Sequence, residues 1–113
     1  MALLALQLSN TELTTSFVTQ YTVGSGKTRR LMEIILCHTS GATRTVTVCF
    51  VESGDSADEA TPDANAIMKA FDLPAGLPVP LAFNTFFNAG DFISAKASGD
   101  GVVFIASGLE ETL

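Results

Sequence analysis

The segment Arg44–Val51, "RTVTVCFV", alternates strictly. Val46, Val48 and Phe50 fall on one side and Thr45, Thr47 and Cys49 on the other. A period of two marks a strand with one buried face. The same period runs through "DFISAKAS" (91–98) and "GVVFIASG" (101–108), while "SFVTQYTV" (16–23) and "VPLAFNTFF" (79–87) are rich in β-branched and aromatic residues. No stretch of ten or more residues sustains a 3.6-residue period, so helices are not expected. Turn signals separate the runs: "GSG" at 24–26, "TSGAT" at 39–43, "NAGD" at 88–91 and "SGDG" at 98–101. The last predicts a hairpin joining 91–98 to 101–108. A second hairpin is expected between 31–38 and 44–52, turning at Ser40-Gly41. "ANAIMKAFDLP" (64–74) suits a helical turn or a strand, with the strand preferred, and the N-terminal "ALLALQL" is a further candidate strand. The expectation is an all-β, antiparallel β-sandwich, jelly-roll-like, with seven or eight short strands.

A chain of 113 residues with 47% hydrophobic and 16% charged residues suits one domain, 1–113, around one core. Eight Phe, one Tyr and no Trp suggest a Phe-based core. The formal net charge of −6 argues against nucleic acid as a partner. "MALLALQLSN" has no basic flank and is too short to read as a signal peptide, and no run is long enough for a membrane span. A reducing, intracellular origin follows as the default. On the assumed hairpin, Cys37 and Cys49 stand roughly 14–17 Å apart along the ladder, too far for a disulfide, so two free thiols are expected.

The pentapeptide "GSGKT" (24–28) has the spelling of a phosphate-binding loop. The motif requires a glycine five residues before Gly26, and that position is Tyr21. The segment after it, "RRLMEIILCH", reads as a strand rather than a helix, so the motif is a turn between two strands. Lys27, Arg29 and Arg30 are half of the six basic residues. Glu52, Asp55, Asp58 and Glu59 fall in "ESGDSADEATPD" (52–63), an acidic surface loop extending to residue 65. Its spacing does not fit a calcium loop. These two unlike patches are the candidate interface, the acidic loop of one copy meeting the basic cluster of another head to tail. Within 31–37, Leu31, Glu33, Ile35 and Cys37 alternate with Met32, Ile34 and Leu36, so both faces are apolar apart from Glu33. Such a strand is either central under covering loops or covered by another subunit.

No catalytic constellation is expected, nor any cofactor or metal site. His38, the only histidine, reads as a polar residue at a strand end. No Gly-x-Ser-x-Gly is present. The acid pair Glu110-Glu111 falls in a segment expected to be mobile. Residues 1–15 read as a strand or as an extended arm, because "SNTELTTS" (9–16) is polar.

Two stretches together resemble a family. "YTVGSGKTRRLMEIILCHTSGATRTVTVCFV" (21–51) is similar to the opening half of small β-sandwich virion structural proteins of tailed bacteriophages. In those proteins a Tyr-Thr-Val-x-x-Gly-Lys-Thr turn leads into an apolar strand. "LPAGLPVPLAFNTFFNAGDFISAKASGDGVVFIASGLEE" (73–111) resembles the family's Asn-Ala-Gly-Asp-x-Ile-x-Ala turn-strand and its terminal Ser-Gly-x-Glu. This chain departs at Gly24-Ser25, where Pro-Ala is usual, and at His38, where Asn is usual. The resemblance implies a non-enzymatic capsid decoration (cement) protein docked on the major capsid protein or other virion proteins. A homo-oligomer is expected from the two unlike patches, a trimer being the expected form, with no nucleic acid or membrane partner; the resemblance implies a location in the virion after assembly in the host cytoplasm. The alternatives are a tail or fibre attachment component and, from a different class, a carbohydrate-binding sandwich. The last normally exposes more Trp and Tyr than this chain contains.

Overall fold

A computed structural model describes residues 3–57 and 65–112, with side chains in the first strand described from residue 7. Eight strands follow in order: β1 (Leu3–Glu12), β2 (Val18–Thr22), β3 (Lys27–His38), β4 (Arg44–Val51), β5 (Ala66–Leu73), β6 (Val79–Phe87), β7 (Phe92–Ala97) and β8 (Val102–Thr112). Two four-stranded antiparallel sheets result, ordered β1-β8-β3-β6 and β2-β7-β4-β5. The pairs β1·β8, β2·β7, β3·β6 and β4·β5 are those of one long hairpin folded at the β4–β5 link. The pairs β3·β8 and β4·β7 roll that hairpin into a jelly roll.

This topology corrects two expectations. β3 and β4 lie in different sheets, and so do β7 and β8, so neither "TSGAT" nor "SGDG" makes a hairpin. A Gly-rich turn signals reversal of the chain but not whether the next strand pairs alongside or crosses to the facing sheet. Here every consecutive link crosses except β4–β5, which contains the acidic segment. The ladder distance inferred for Cys37 and Cys49 therefore does not apply, and both are free thiols. Residues 64–74 hold a strand, and residues 3–12 pair with β8 along their length.

The core is aliphatic rather than Phe-based. Leu31, Ile34, Leu36, Val46, Val48, Ile93 and Val102 are fully buried, and Phe104 is the only Phe among the fully buried side chains. Phe50 packs edge-on against Phe83 and Phe87, with ring centroids 5.4 and 5.1 Å away, while Phe71 and Phe86 reach solvent. Two sheets about 10 Å apart leave room for interdigitated branched side chains more readily than for eight rings.

β3 does not keep the alternation expected of it. Its register against β8 slips between Leu31 and Glu33, which leaves Met32 as an extra residue in a bulge. Leu31 before the bulge and Ile34, Leu36 and His38 after it all point inward. Gly108 of β8 pairs with Leu31, and a Cβ there would collide with the Arg30 carbonyl. The seam beside the bulge thus requires glycine.

Candidate interaction surface

The basic cluster is divided by the direction of β3. Arg29 turns inward and is buried, opposite Glu110 of β8. Its Nη1 lies 2.9 Å from Glu110 Oε1, and Lys27 Nζ lies 2.8 Å from the same oxygen. Hydrogen bonding from Lys27, supported by Arg29 and opposed by partial burial, holds the Glu110 carboxyl below the usual carboxylate range. The Arg29 guanidinium also stands 5.6 Å from the centre of the Tyr21 ring. Burial raises the Tyr21 hydroxyl pKa and Arg29 works against that. Two of the three basic residues are therefore spent on one carboxylate of their own chain. Glu110 belongs to a central strand, not to a mobile tail as expected. The signal was present: Val102, Phe104, Ala106, Gly108 and Glu110 continue a single inward row.

Arg30 turns outward, and its guanidinium lies 4.6 Å from the centre of the Phe86 ring. Phe86 is 63% exposed. Glu52 lines the same open cleft of about 260 Å³ as Phe86, next to Phe87 and Asp91. The structure thus brings Arg30 and Glu52 to one end of the sandwich, around one exposed ring. Asp55 is exposed further along the link, and its carboxylate accepts the Ser56 N–H. Asp58 and Glu59 lie outside the described residues.

The outer face of the β1-β8-β3-β6 sheet was only half legible in the sequence. Outward positions on β8 are Val103, Ile105, Ser107, Leu109 and Glu111, those on β3 include Met32, Ile35 and Cys37, and the described part of β1 adds the exposed Gln7, Asn10 and Glu12 opposite them. β6 adds Pro80, Ala82, Asn84 and Phe86, which are exposed. Met32 is 39% and Val103 37% exposed. Arg30 and Glu33 stand on this face on either side of Met32. A β-sheet with an apolar row on both sides buries only one of them within its own sandwich.

His38 is not a polar turn residue. It is 1% exposed at the inward end of β3, with Nε2 2.9 Å from the Leu73 carbonyl oxygen. The phase change at the Met32 bulge turns it inward. Among the described residues, no cluster of three or more His, Cys, Asp and Glu could hold a metal ion.

No family model matches this chain, and no curated protein matches it. Among solved structures, one similar chain belongs to a structure of infectious bursal disease virus, Gx strain. It superposes with a TM-score of 0.41 at 10% sequence identity, covering 96% of this chain and 30% of that one. A likeness of this degree carries no argument about activity.

Proposed function

We propose that this chain is a non-enzymatic structural protein of a virion, a head decoration protein that docks on the major capsid protein and stabilises the shell. The observation that carries the reading is an apolar stripe on the outer face of β8, β3 and β6, where Met32, Val103 and Phe86 reach solvent beside Ile35 and Leu109. The jelly roll supports it as an architecture that capsid domains use, although lectins share it. Three strands spaced about 4.8 Å apart and roughly ten residues long at about 3.4 Å each present on the order of 500 Å². That is more than half of the ~800 Å² per partner of a standard interface. Arg30 and Glu33 on this face set the register of docking rather than its strength.

The test mixes purified chain with heads assembled without it and measures co-sedimentation and head melting. The expected result is saturable binding and a higher melting temperature. Met32→Lys with Val103→Lys should remove both effects while the isolated chain melts as before. Absence of binding, or equal binding by that variant, overturns the reading. Binding to tails and not to heads would replace decoration with the tail-attachment role. Light scattering of the free chain shows whether it docks as a preformed trimer or as a monomer.

A further inference from the structure

The four edges of the two sheets are not alike. β1, β6, β2 and β5 are the outermost strands, each with one side free of any other described strand. A free edge invites a further strand, and chains guard theirs by shortness, charge or local distortion. β2 is five residues long. β5 carries the exposed Lys69 and Asp72, and its Ala70 adopts φ 49°, a left-handed backbone that costs a non-glycine residue energy. β1 exposes Gln7, Asn10, Thr11 and Glu12 along its described part. β6, "VPLAFNTFF", runs nine residues without a charged side chain, and Pro80 near its start is its one guard.

β6 is incompletely covered on both of its faces. Val79, Leu81, Phe83 and Thr85 point inward yet stay only half-buried, while Pro80, Ala82, Asn84 and Phe86 are exposed on the outer face. Val79, Leu81 and Phe83 pack against the core from this open side. The alternation holds along the whole strand, and the shift in its ladder to β3 lies at the Met32 bulge. The edge is therefore extended. It presents a row of backbone N–H and C=O groups with apolar side chains above and below, and one more strand would bury both rows.

We infer that a second copy of this chain covers that edge, β6 pairing antiparallel with β6 about a twofold axis perpendicular to the sheet. Charge favours a copy: no like charges meet when this strand faces itself, because it has none. Shape favours it too, since antiparallel pairing sets the bulky Phe86 end of each copy against the slimmer Pro80 and Ala82 of the other on the outer face. The area suffices. Nine residues at about 3.4 Å make an edge about 30 Å long, and the molecule is 18 Å through its thinnest dimension. The open side thus presents roughly 500 Å² per copy, about 1,000 Å² in all, which is the threshold of a specific interface. Such an axis keeps both outer faces on one side, so the two apolar stripes merge into about 1,000 Å², above the ~800 Å² per partner of a standard interface. The merger matters only if that face docks, as proposed above, whereas the pairing itself does not depend on it.

The test is light scattering of the purified full chain over a dilution series, with amide hydrogen exchange read at both ends of it. A dimer that dissociates on dilution is expected, with β6 amides exchanging more slowly in the dimer. Ala82→Lys with Asn84→Lys, both on exposed side chains, brings like charges together across the axis. It should leave a monomer at concentrations where the wild type is a dimer, and the diluted chain should melt as before. Gln7→Lys with Asn10→Lys, the matching change on β1, should leave the dimer intact. A monomer at every concentration overturns the inference, as does a trimer. A dimer that survives the β6 lysines, or β6 amides indifferent to concentration, also overturns it. Loss of the dimer in the β1 variant overturns it in favour of the other edge. No heads are used, so a negative result leaves the docking reading to its own test.

Discussion

Two strands of this jelly roll break their register, and the consequences are opposite. The bulge at Met32 lies in a central strand, sends an apolar side chain into solvent and adds it to an apolar stripe on the outer face of its sheet. The irregularity at Lys69–Ala70 lies in an edge strand, and beside it a cleft lined by hydroxyls and ammonium groups opens on the other outer face. The middle of each inward row is aliphatic, with Arg29, Glu110 and His38 confined to the strand ends. What distinguishes the two outer faces is therefore local: which residues flank each break and which partner holds it in place. Glycine holds the first, because β8 approaches β3 too closely at Gly108 for any side chain. Thr47 holds the second, by accepting the Ala70 N–H.

The largest expected effect comes from filling the first seam. Gly108→Ala places a Cβ against the Arg30 carbonyl and 3.2 Å from Leu31 Cα, both backbone atoms that cannot swing aside. Overpacking costs about 1–3 kcal/mol and sometimes more, and this substitution should reach at least the top of that range in urea unfolding. A smaller loss would mean that the two strands can separate and that the outer apolar row is not rigidly placed. The second seam is weaker. Thr47→Val keeps the shape and deletes the acceptor for the Ala70 N–H, at a cost of about 1–3 kcal/mol. Wild-type stability in that variant would show that Thr47 does not hold the β5 break.

The sequence carried the strands and the fold class well, because alternation and turn residues act locally. "RTVTVCFV" became β4, and Val46 and Val48 are fully buried as its alternation required, but Thr47 and Cys49 on the other face are buried as well. It carried the pairing of strands poorly, because turns that cross between sheets have the same Gly-rich spelling as hairpins. The two register breaks were hidden for a related reason. Neither Met32 nor Ala70 is a glycine, so nothing in the spelling marks a bulge. Once Met32 is counted as an extra residue, Leu31, Ile34, Leu36 and His38 fall on one inward face. The basic cluster misled because sequence proximity says nothing about direction: Arg29 faces the core and Arg30 faces solvent.

Acid should separate the two ends of β8. The folded-state pKa of Glu110 is lowered, so its contribution to stability is complete above the unfolded glutamate value of about 4.3. That contribution disappears as pH falls through the lowered value. Glu110→Gln should therefore be less stable than wild type at pH 7 and approach it below that window, as read from melting temperatures between pH 7 and pH 2. A constant gap across that range would mean that the Lys27–Glu110–Arg29 contacts are not coupled to folding. Ala70→Gly offers the reverse sign. Relief of a left-handed alanine should stabilise the chain by about 1 kcal/mol, with the amide shifts of Thr47 reporting whether the cleft survives.

The smallest effect on stability should come from the outer apolar row itself. Met32→Ser and Val103→Ser truncate side chains that the isolated sandwich leaves more than a third exposed. Surface changes of this kind usually stay within about 0.5 kcal/mol, and alternation places Ile34 and Leu36 beyond their influence. The same two substitutions should nevertheless have the largest effect on association, because a docking face loses its apolar contacts all at once. Melting and co-sedimentation measured on one preparation separate the two roles. A large loss of melting temperature would mean that Met32 and Val103 belong to the core of the isolated chain. Unchanged melting with lost association would mean that this side of the sheet is shaped for a partner, at no cost to the fold that displays it.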